Sequence, residues 1–287
     1  MIETTTFDLK MMKPAEIQTI LQHAIAPRPI CFASTIDKNG SANLSPFSFF
    51  NLFSSNPPIL VFSPARRVRD NTIKHTLENV LEIDEVCINM VNYDMVWQTS
   101  LASTEYEKGV DEFVKSGFTK ETSQLIKPYR VKESPIQLEC KVLEVKSLGD
   151  KGGAGNLVIC EVLVIHVNND VLDAEKKQID QNKLDLVARL GGDWYCRASG
   201  EALFEIEKPV RNKGIGIDQI REDIRNSHFL TGNDLGQLGN VEQLPTKEDI
   251  ESVSPNIAKK SSFEKHKMAH ELLAQKLVQE AWKILLS

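Results

Sequence analysis

Arg28-Pro29-Ile30-Cys31-Phe32-Ala33-Ser34-Thr35, then Ile36-Asp37-Lys38-Asn39-Gly40, then Ser41-Ala42-Asn43-Leu44-Ser45-Pro46-Phe47-Ser48-Phe49-Phe50: this stretch decides how the chain is read. Its first part is an apolar run closed by two hydroxyl side chains, the pattern of a buried strand. Asp37 to Gly40 supplies residues that tolerate positive φ, so two strands meet in a hairpin there. The second strand is unusual, with small polar side chains around Leu44 and Pro46 and an ending in Phe49 and Phe50. Proline lacks the N–H that a sheet ladder uses and biases Ser45 toward extended geometry. Regular pairing is therefore expected to stop near Pro46 and leave main-chain amides free. Amides, hydroxyls and an aromatic pair in so short a span suit either a polar exit loop or a seat for a flat polar ring system.

Upstream, Pro14 to Ala24 reads as a helix with Ile17, Ile20 and Leu21 on one face and proline in its first turn. Downstream, Asn56-Pro57-Pro58 marks a turn, and Ile59 to Phe62 is a buried strand stopped by Ser63-Pro64. Ala65 to Asn71 is a polar loop carrying Arg66, Arg67 and Arg69. A helix capped by Asn71 or Thr72 follows, with Ile73, Leu77, Val80 and Leu81 as its stripe. Arginines just ahead of a helix start, where unpaired amides carry partial positive charge, suit a phosphate or a solvated basic loop. Val86 to Met90, Ile136 to Val142 and Leu157 to Val167 read as strands, while Asp94 to Ala102 and Val110 to Ser116 read as helices, the latter stopped by Gly117. Gly149 to Gly155 lacks the Gly-Lys-Ser/Thr ending of a phosphate loop and sits between two strands, which makes it a flexible hairpin tip. Paired glycines in Arg189-Leu190-Gly191-Gly192-Asp193-Trp194-Tyr195 predict a tight turn that delivers Arg189 and Tyr195 to a defined place.

After about Lys208 the composition changes. Arg211 to Asn256 is rich in Gly, Asn and Asp and reads as an irregular excursion. Ser261 and Glu264 form a capping box for a terminal helix whose Met268, Leu272, Leu273, Leu277, Trp282 and Leu285 must cover something. His266 and His270 stand one turn apart with no third ligand evident, so they read as a solvated face and no metal is expected.

With 287 residues, 41% hydrophobic and 26% charged, the chain has the composition of a globular protein of one large domain or two ordinary ones. A formal net charge of -6 gives no global basic field, so nucleic acid is not an expected partner. No apolar run reaches membrane-spanning length, and Met1 to Lys10 lacks the order of a signal peptide, so no membrane partner and a cytoplasmic location are expected. Cys31, Cys87, Cys140, Cys160 and Cys196 lie in apolar runs without a Cys-x-x-Cys pair and read as core residues of a reducing compartment. His166, in the strand Val162 to Val167, reads as a core or edge histidine. There is no Gly-x-Ser-x-Gly elbow, no Gly-x-Gly-x-x-Gly fingerprint and no outstanding carboxylate pair, so no catalytic residue is named.

Arg28-Pro29-Ile30, Ser34-Thr35, Gly40, Asn43 to Phe49, Asn56-Pro57-Pro58 and Phe62-Ser63 together resemble the flavin reductase-like family, FMN-binding proteins with a split β-barrel. The likeness continues through Lys74-His75-Thr76-Leu77-Glu78-Asn79, where the family has Lys-Asp-Thr-Leu-x-Asn, so that His75 takes the place of Asp. Glu85, Asn89, Glu133-Ser134-Pro135, Leu138-Glu139-Cys140 and Arg189-Leu190-Gly191-Gly192 with Tyr195 extend it over roughly residues 20 to 200.

The resemblance implies a β-rich α+β fold. Residues 1–207 would form an FMN-binding split barrel with peripheral helices. Residues 208–287 would form a long C-terminal extension ending in a helix, packed on the barrel or on the partner subunit of a homodimer. It further implies Ser34, Thr35, Asn43, Leu44, Ser45, Phe47, Ser48 and Phe49 around the isoalloxazine and ribityl chain, and Ser63, Arg69, Lys74 and Thr76 on the phosphate. The implied activity is an FMN-dependent oxidoreductase that passes electrons from NADH or NADPH to a flavin or other small acceptor. The alternative is an FMN-containing electron carrier with no nicotinamide site.

Overall fold

The hairpin forms where the sequence puts it. In the computed structural model, which describes residues 2–210 and 213–287, the chain divides into two units between Phe204 and Glu205. The first unit opens with Pro14–Ala24 (α1), Arg28–Pro29 (β1), Cys31–Ile36 (β2), Ala42–Phe47 (β3), Phe50–Ser55 (β4) and Pro58–Phe62 (β5). It continues with His75–Glu82 (α2), Glu85–Met90 (β6), Val96–Leu101 (α3), Glu112–Ser116 (α4), Lys120–Glu121 (β7) and Arg130–Val131 (β8). Ile136–Ser147 (β9), Asn156–Val167 (β10), Gln181–Leu184 (α5), Val187–Arg189 (β11) and Tyr195–Arg197 (β12) complete it. Among the described residues, no helix is long and apolar enough to cross a membrane.

At the β2–β3 turn, the Asp37 carboxylate accepts the N–H groups of Asn39 and Ser41 at 2.9 and 2.8 Å, and Gly40 adopts φ +84°. Pairing passes through Pro46 and stops one residue later, near where the sequence led us to expect, with Phe47 opposite Cys31. The reason it passes Pro46 is position: β3 is an edge strand, where a missing N–H on the open side loses no ladder bond.

Seven strands form one antiparallel sheet in the order β3-β2-β6-β9-β10-β5-β4. Its two edges are joined by only Ser48 and Phe49, a reach of about 11 Å from Phe47 to Phe50. A flat sheet of seven strands would hold those edges about 29 Å apart. The sheet must therefore curl, and the result is a split barrel. Alternate residues face inward: Cys31 and Ala33, Leu60 and Phe62, Val86 and Ile88, Cys140 and Val142, Val158 and Cys160, with Phe47 completing the core. Leu77 and Val80 of α2 pack against this core, whereas Leu81, expected on the same stripe, is exposed.

Across the wall, Ile30, Phe32 and Leu44 build a second core with Val91, Met95, Phe113, Phe118 and Val131. The arm from Phe118 to Ser134 is mostly irregular, so its backbone groups need partners, and outward-facing polar side chains of the barrel supply them. Asn89 Oδ1 accepts the Val131 N–H at 2.8 Å, and Gln137 Nε2 donates to the carbonyls of Val131 and Ser134 at 3.1 and 2.7 Å. Cys31, Cys87, Cys140 and Cys160 are buried free thiols, and burial pushes all four up from their ordinary range.

The second unit is helical. Glu222–Arg225 (α6), Gly232–Gly239 (α7), Lys247–Glu251 (α8) and Pro255–Ala258 (α9) occupy the segment expected to be irregular; Arg211, where that reading began, lies outside the described residues. The helices are too short for their period to show, but Thr231–Asp234 and Thr246–Asp249 cap two of them as capping boxes. The expected terminal helix is two, Ser262–Ala274 (α10) and Val278–Leu286 (α11), separated by Lys276 at φ +62°. Ser261 caps the first of them as predicted. Together they bury Leu273, Trp282 and Leu285 against Ile220, Ile224 and Leu238. His266 is buried, not solvated, and His270 Nδ1 bonds the Asp234 carboxylate at 2.8 Å.

Candidate functional site

The loop between β5 and α2 is held by its own polar side chains. Asp70 Oδ1 accepts from the N–H and hydroxyl of Thr72 at 3.0 and 2.6 Å, which holds its carboxyl down at about 2. Arg66 Nε donates to Asn71 Oδ1 at 2.7 Å, and Arg67 donates through one terminal nitrogen to Thr72 Oγ1 and the Ile73 carbonyl at 2.9 and 2.8 Å. The Gly149–Gly155 tip is fastened to the same loop and not free. Arg66 N–H donates to the Ala154 carbonyl at 2.8 Å and Gly153 N–H to the Arg66 carbonyl at 2.9 Å. A Cβ on Gly152 would sit 3.0 Å from the carbonyl oxygens of Arg67 and Val68, a fit that only glycine allows without a shift.

Where this loop meets α2, the cap residue is Lys74, not Asn71 or Thr72, and its side chain makes no capping bond. Helix geometry then leaves the first N–H groups of α2 without side-chain partners, beside a lysine. Burial and the neighbouring Arg67 charge lower the Lys74 pKa from its ordinary value, with Glu105 working in the opposite direction. The Lys74 ammonium lies 5.4 Å from the centre of the Phe47 ring.

Lys74, Arg66, Arg67 and Arg69 line a cavity of about 690 Å³ whose other wall is apolar: Ile17 and Leu21 from α1 and Ile25 just after it, with Phe49 and Val68. Arg28 also lines it. Its guanidinium donates to the Gln22 carbonyl at the end of α1 and to the Leu190 carbonyl, while its buried Nε has no partner. Burial and the charge of Arg189 lower its pKa. A cation cluster, an open helix start and an aromatic and aliphatic wall make a donor set for a planar ligand with an anionic end. The residues therefore fit a flavin carrying phosphate.

Of the residues that the sequence nominated, Phe49, Arg69 and Lys74 line the cavity. Phe47 stands behind it through Lys74, and Ser63, whose N–H donates to the Phe49 carbonyl at 2.8 Å, holds the neighbouring strand end. Ser45 and Ser48 are half-buried along β3 and its exit, outside the lining. Ser34, Thr35, Asn43, Leu44 and Thr76 are buried in the wall. Thr76 donates its hydroxyl to Asn43 Oδ1 at 2.8 Å, Asn79 donates to Thr35 Oγ1 at 3.0 Å, and Asn43 Nδ2 donates to Glu112 Oε1 at 2.9 Å. Burial raises the Glu112 pKa, only partly offset by the N–H groups of Leu44 and Asn43. Ser34 Oγ is buried with no partner. This network ties α2 to the β2–β3 hairpin and so fixes where Lys74 stands. Thr76→Ala should leave Asn43 Oδ1 with only the 3.4 Å contact from Thr35 and cost about 1–3 kcal/mol, read as a lowered urea midpoint.

Arg66 and Arg67, read with Arg69 as loop arginines that suit a phosphate, line the cavity as well, whereas sequence reading missed Glu105 and the α1 face as lining. The α1 stripe was visible, but nothing in it said what it faces. The turn at Gly191–Gly192 does form, with Arg189 stacked 4.5 Å over Tyr195, yet neither side chain lines the cavity. His166 bonds Glu139 and is also outside it.

Residues 23–182 match the model of the flavin reductase like domain, a span that takes in the hairpin, the arginine loop and most of the barrel. The chain belongs to the flavin reductase-like family. It is similar to an uncharacterized protein of Aquifex aeolicus, 37% identical over 182 residues that cover 63% of this chain and 90% of that one. Among solved structures it is similar to nitrilotriacetate monooxygenase component B from Bacillus cereus, at TM-score 0.66 and 25% identity over 72% of this chain and all (100%) of that one. It shares its fold with 2-nitrobenzoate 2-nitroreductase from Pseudomonas fluorescens, at TM-score 0.63 and 23% identity over 71% of this chain and 96% of that one. The family is flavin-binding, and the cavity's cationic side and Phe49 lie in the matched span, while the α1 residues Ile17 and Leu21 precede it.

Proposed function

We propose that this flavin reductase-like chain is an FMN-dependent oxidoreductase, active as a cytoplasmic homodimer, that moves electrons from NADH or NADPH to a flavin or another small acceptor. The reading is carried by one observation: a cavity lined largely by residues of the family's domain joins a cation cluster at an open helix start to an aromatic and aliphatic wall. FMN has both matching parts, a phosphate dianion and a planar ring. Bound FMN would supply the redox chemistry, its ring taking hydride from the nicotinamide. The chain's own residues do the holding. Lys74, Arg67 and the first N–H groups of α2 take the phosphate, and Arg69 approaches from the rim. Phe49 and the α1 stripe cover apolar ring surface and exclude water. Thr35, Asn43 and Thr76 keep the start of α2 in register with the hairpin. Leu52 and Phe53, exposed on the edge strand β4 at 61% and 68%, support a second copy as partner, since apolar edges invite pairing.

The test is the ligand released on heating the purified protein, followed by anaerobic mixing with NADH or NADPH. FMN at one per chain, bleached within turnover times by either donor, is the expected result. Protein that takes up no FMN overturns the reading. FMN that neither donor bleaches overturns the enzyme and leaves an electron carrier.

A further inference from the structure

Among the described residues Glu105 is the one carboxylate that lines the cavity, and it comes from the stretch between α3 and α4, 38 residues from Arg67 in sequence. Its two oxygens are spent separately on two guanidinium groups: Oε1 accepts from Arg67 Nε at 2.9 Å and Oε2 from Arg69 at 3.0 Å. Among the described residues its side chain has no other hydrogen-bond partner, so it caps no helix and satisfies no main-chain group. Asp70, the other acid beside Arg69, differs in that respect. It builds the loop through Thr72 and does not line the cavity. Nearby, Lys108 donates to Glu78 of α2 at 2.8 Å, which tethers the Glu105 segment to the same helix that carries Lys74 at its start. Both arginines, in turn, hold the Glu105 carboxyl below its ordinary range, so at neutral pH it is an anion on the cation cluster.

An anion spread over two guanidinium groups at the edge of a cavity is what an arriving phosphate would meet. Arg67 also donates through a terminal nitrogen to Thr72 and Ile73, so the direction of the Nε–H that Glu105 occupies is set by the loop as well. We infer that Glu105 is a built-in counter-ion that competes with the ligand's phosphate for Arg67 and Arg69, and so sets how strongly the site prefers a phosphorylated flavin over an unphosphorylated one. The inference rests on the flavin reading of this cavity.

The experiment is a fluorescence titration of apo wild-type protein and Glu105→Gln with FMN and with riboflavin, at low and moderate salt. Gln keeps the shape and removes the charge. Removing one unit charge near a phosphate dianion at a half-exposed site is expected to tighten FMN about three- to tenfold. Riboflavin, without the phosphate, should stay within about twofold. The FMN gain should shrink as salt rises, because the groups are partly exposed. FMN affinity unchanged or weakened in the variant overturns the inference, and a parallel change in both ligands overturns it in favour of a merely structural role. Failure of the underlying reading is separate, since it shows in the wild type alone as no binding of either flavin.

Discussion

On the FMN reading proposed above, Lys74→Ala is expected to weaken FMN binding by about tenfold to a hundredfold and to leave riboflavin binding nearly unchanged. The magnitude is that of one hydrogen bond to a charged group, about 1.5–3 kcal/mol. The selectivity follows from placement. Lys74 stands at the cap of α2, makes no capping bond there, and lines the cavity beside Arg67 and Arg69. Removing its ammonium takes away attraction for the phosphate and little ring contact. The pH dependence has a definite sign. Burial and the Arg67 charge lower the Lys74 pKa below its ordinary 10.5, whereas a bound phosphate favours the ammonium and raises it again. FMN affinity should therefore fall as pH rises through the lowered value of the free protein, so the alkaline loss begins below the ordinary lysine range. In the alanine variant that loss should be absent. Titrations with both flavins between neutral and alkaline pH check it; equal weakening of FMN and riboflavin would remove Lys74 from the phosphate.

Residues whose role is set by their immediate neighbours were legible in the sequence. Asp37 to Gly40 had to turn, alternate apolar residues from Val86 to Ile88 had to face a core, Gly117 had to stop a helix, and Ser261 with Glu264 had to start one. Pro46 marked the neighbourhood where pairing ends but not its last residue, because a proline that interrupts an inner strand is harmless at an edge, and edge position is a property of the whole sheet. The cap of α2 failed for a related reason: Asn71 and Thr72 are good capping residues, but Asp70 and Arg67 had already engaged Thr72 and Arg66 had engaged Asn71. Thr35, Asn43 and Thr76 look alike in sequence whether they touch a ligand or hold the wall behind it. Only the pairing of Thr35 with Asn43 across the hairpin, and the crossing of α2 over both, separates the two. The second unit was least legible, because its helices of four to eight residues bury at most one apolar side chain each and show no period.

Glu139→Ala should destabilise the barrel by about 3 kcal/mol or more at neutral pH, the cost of stripping partners from a buried charged cluster. Glu139 lies on β9 with its side chain turned away from the barrel core, yet it is fully buried, because the irregular arm before β8 covers it. Its carboxylate accepts the N–H groups of Gln124 and Leu125, each at 2.7 Å, and bonds His166 Nε2 of β10 at 2.7 Å. Burial alone would raise its pKa. The two amides and the imidazole outweigh burial and hold it below its ordinary 4.5. A carboxylate held ionised can only accept, so Nε2 carries the proton in that bond. Alanine would leave two backbone donors and an imidazole facing a void between arm and sheet, and the arm has no regular pairing there to fall back on. The sign with pH follows from the lowered pKa. The stabilisation is complete above the unfolded-state value near 4.5 and is lost as pH falls through the lower folded-state value, so the gap between wild type and variant should be constant at neutral pH and close in acid. Urea denaturation from pH 7 to pH 3, with amide exchange on β9 as the local readout, measures both parts. A gap under about 1 kcal/mol at neutral pH would mean that the arm is held by other barrel side chains, Asn89, Gln137 and Glu85 among them, and that the bonds of Glu139 are offset by an equal cost of burial.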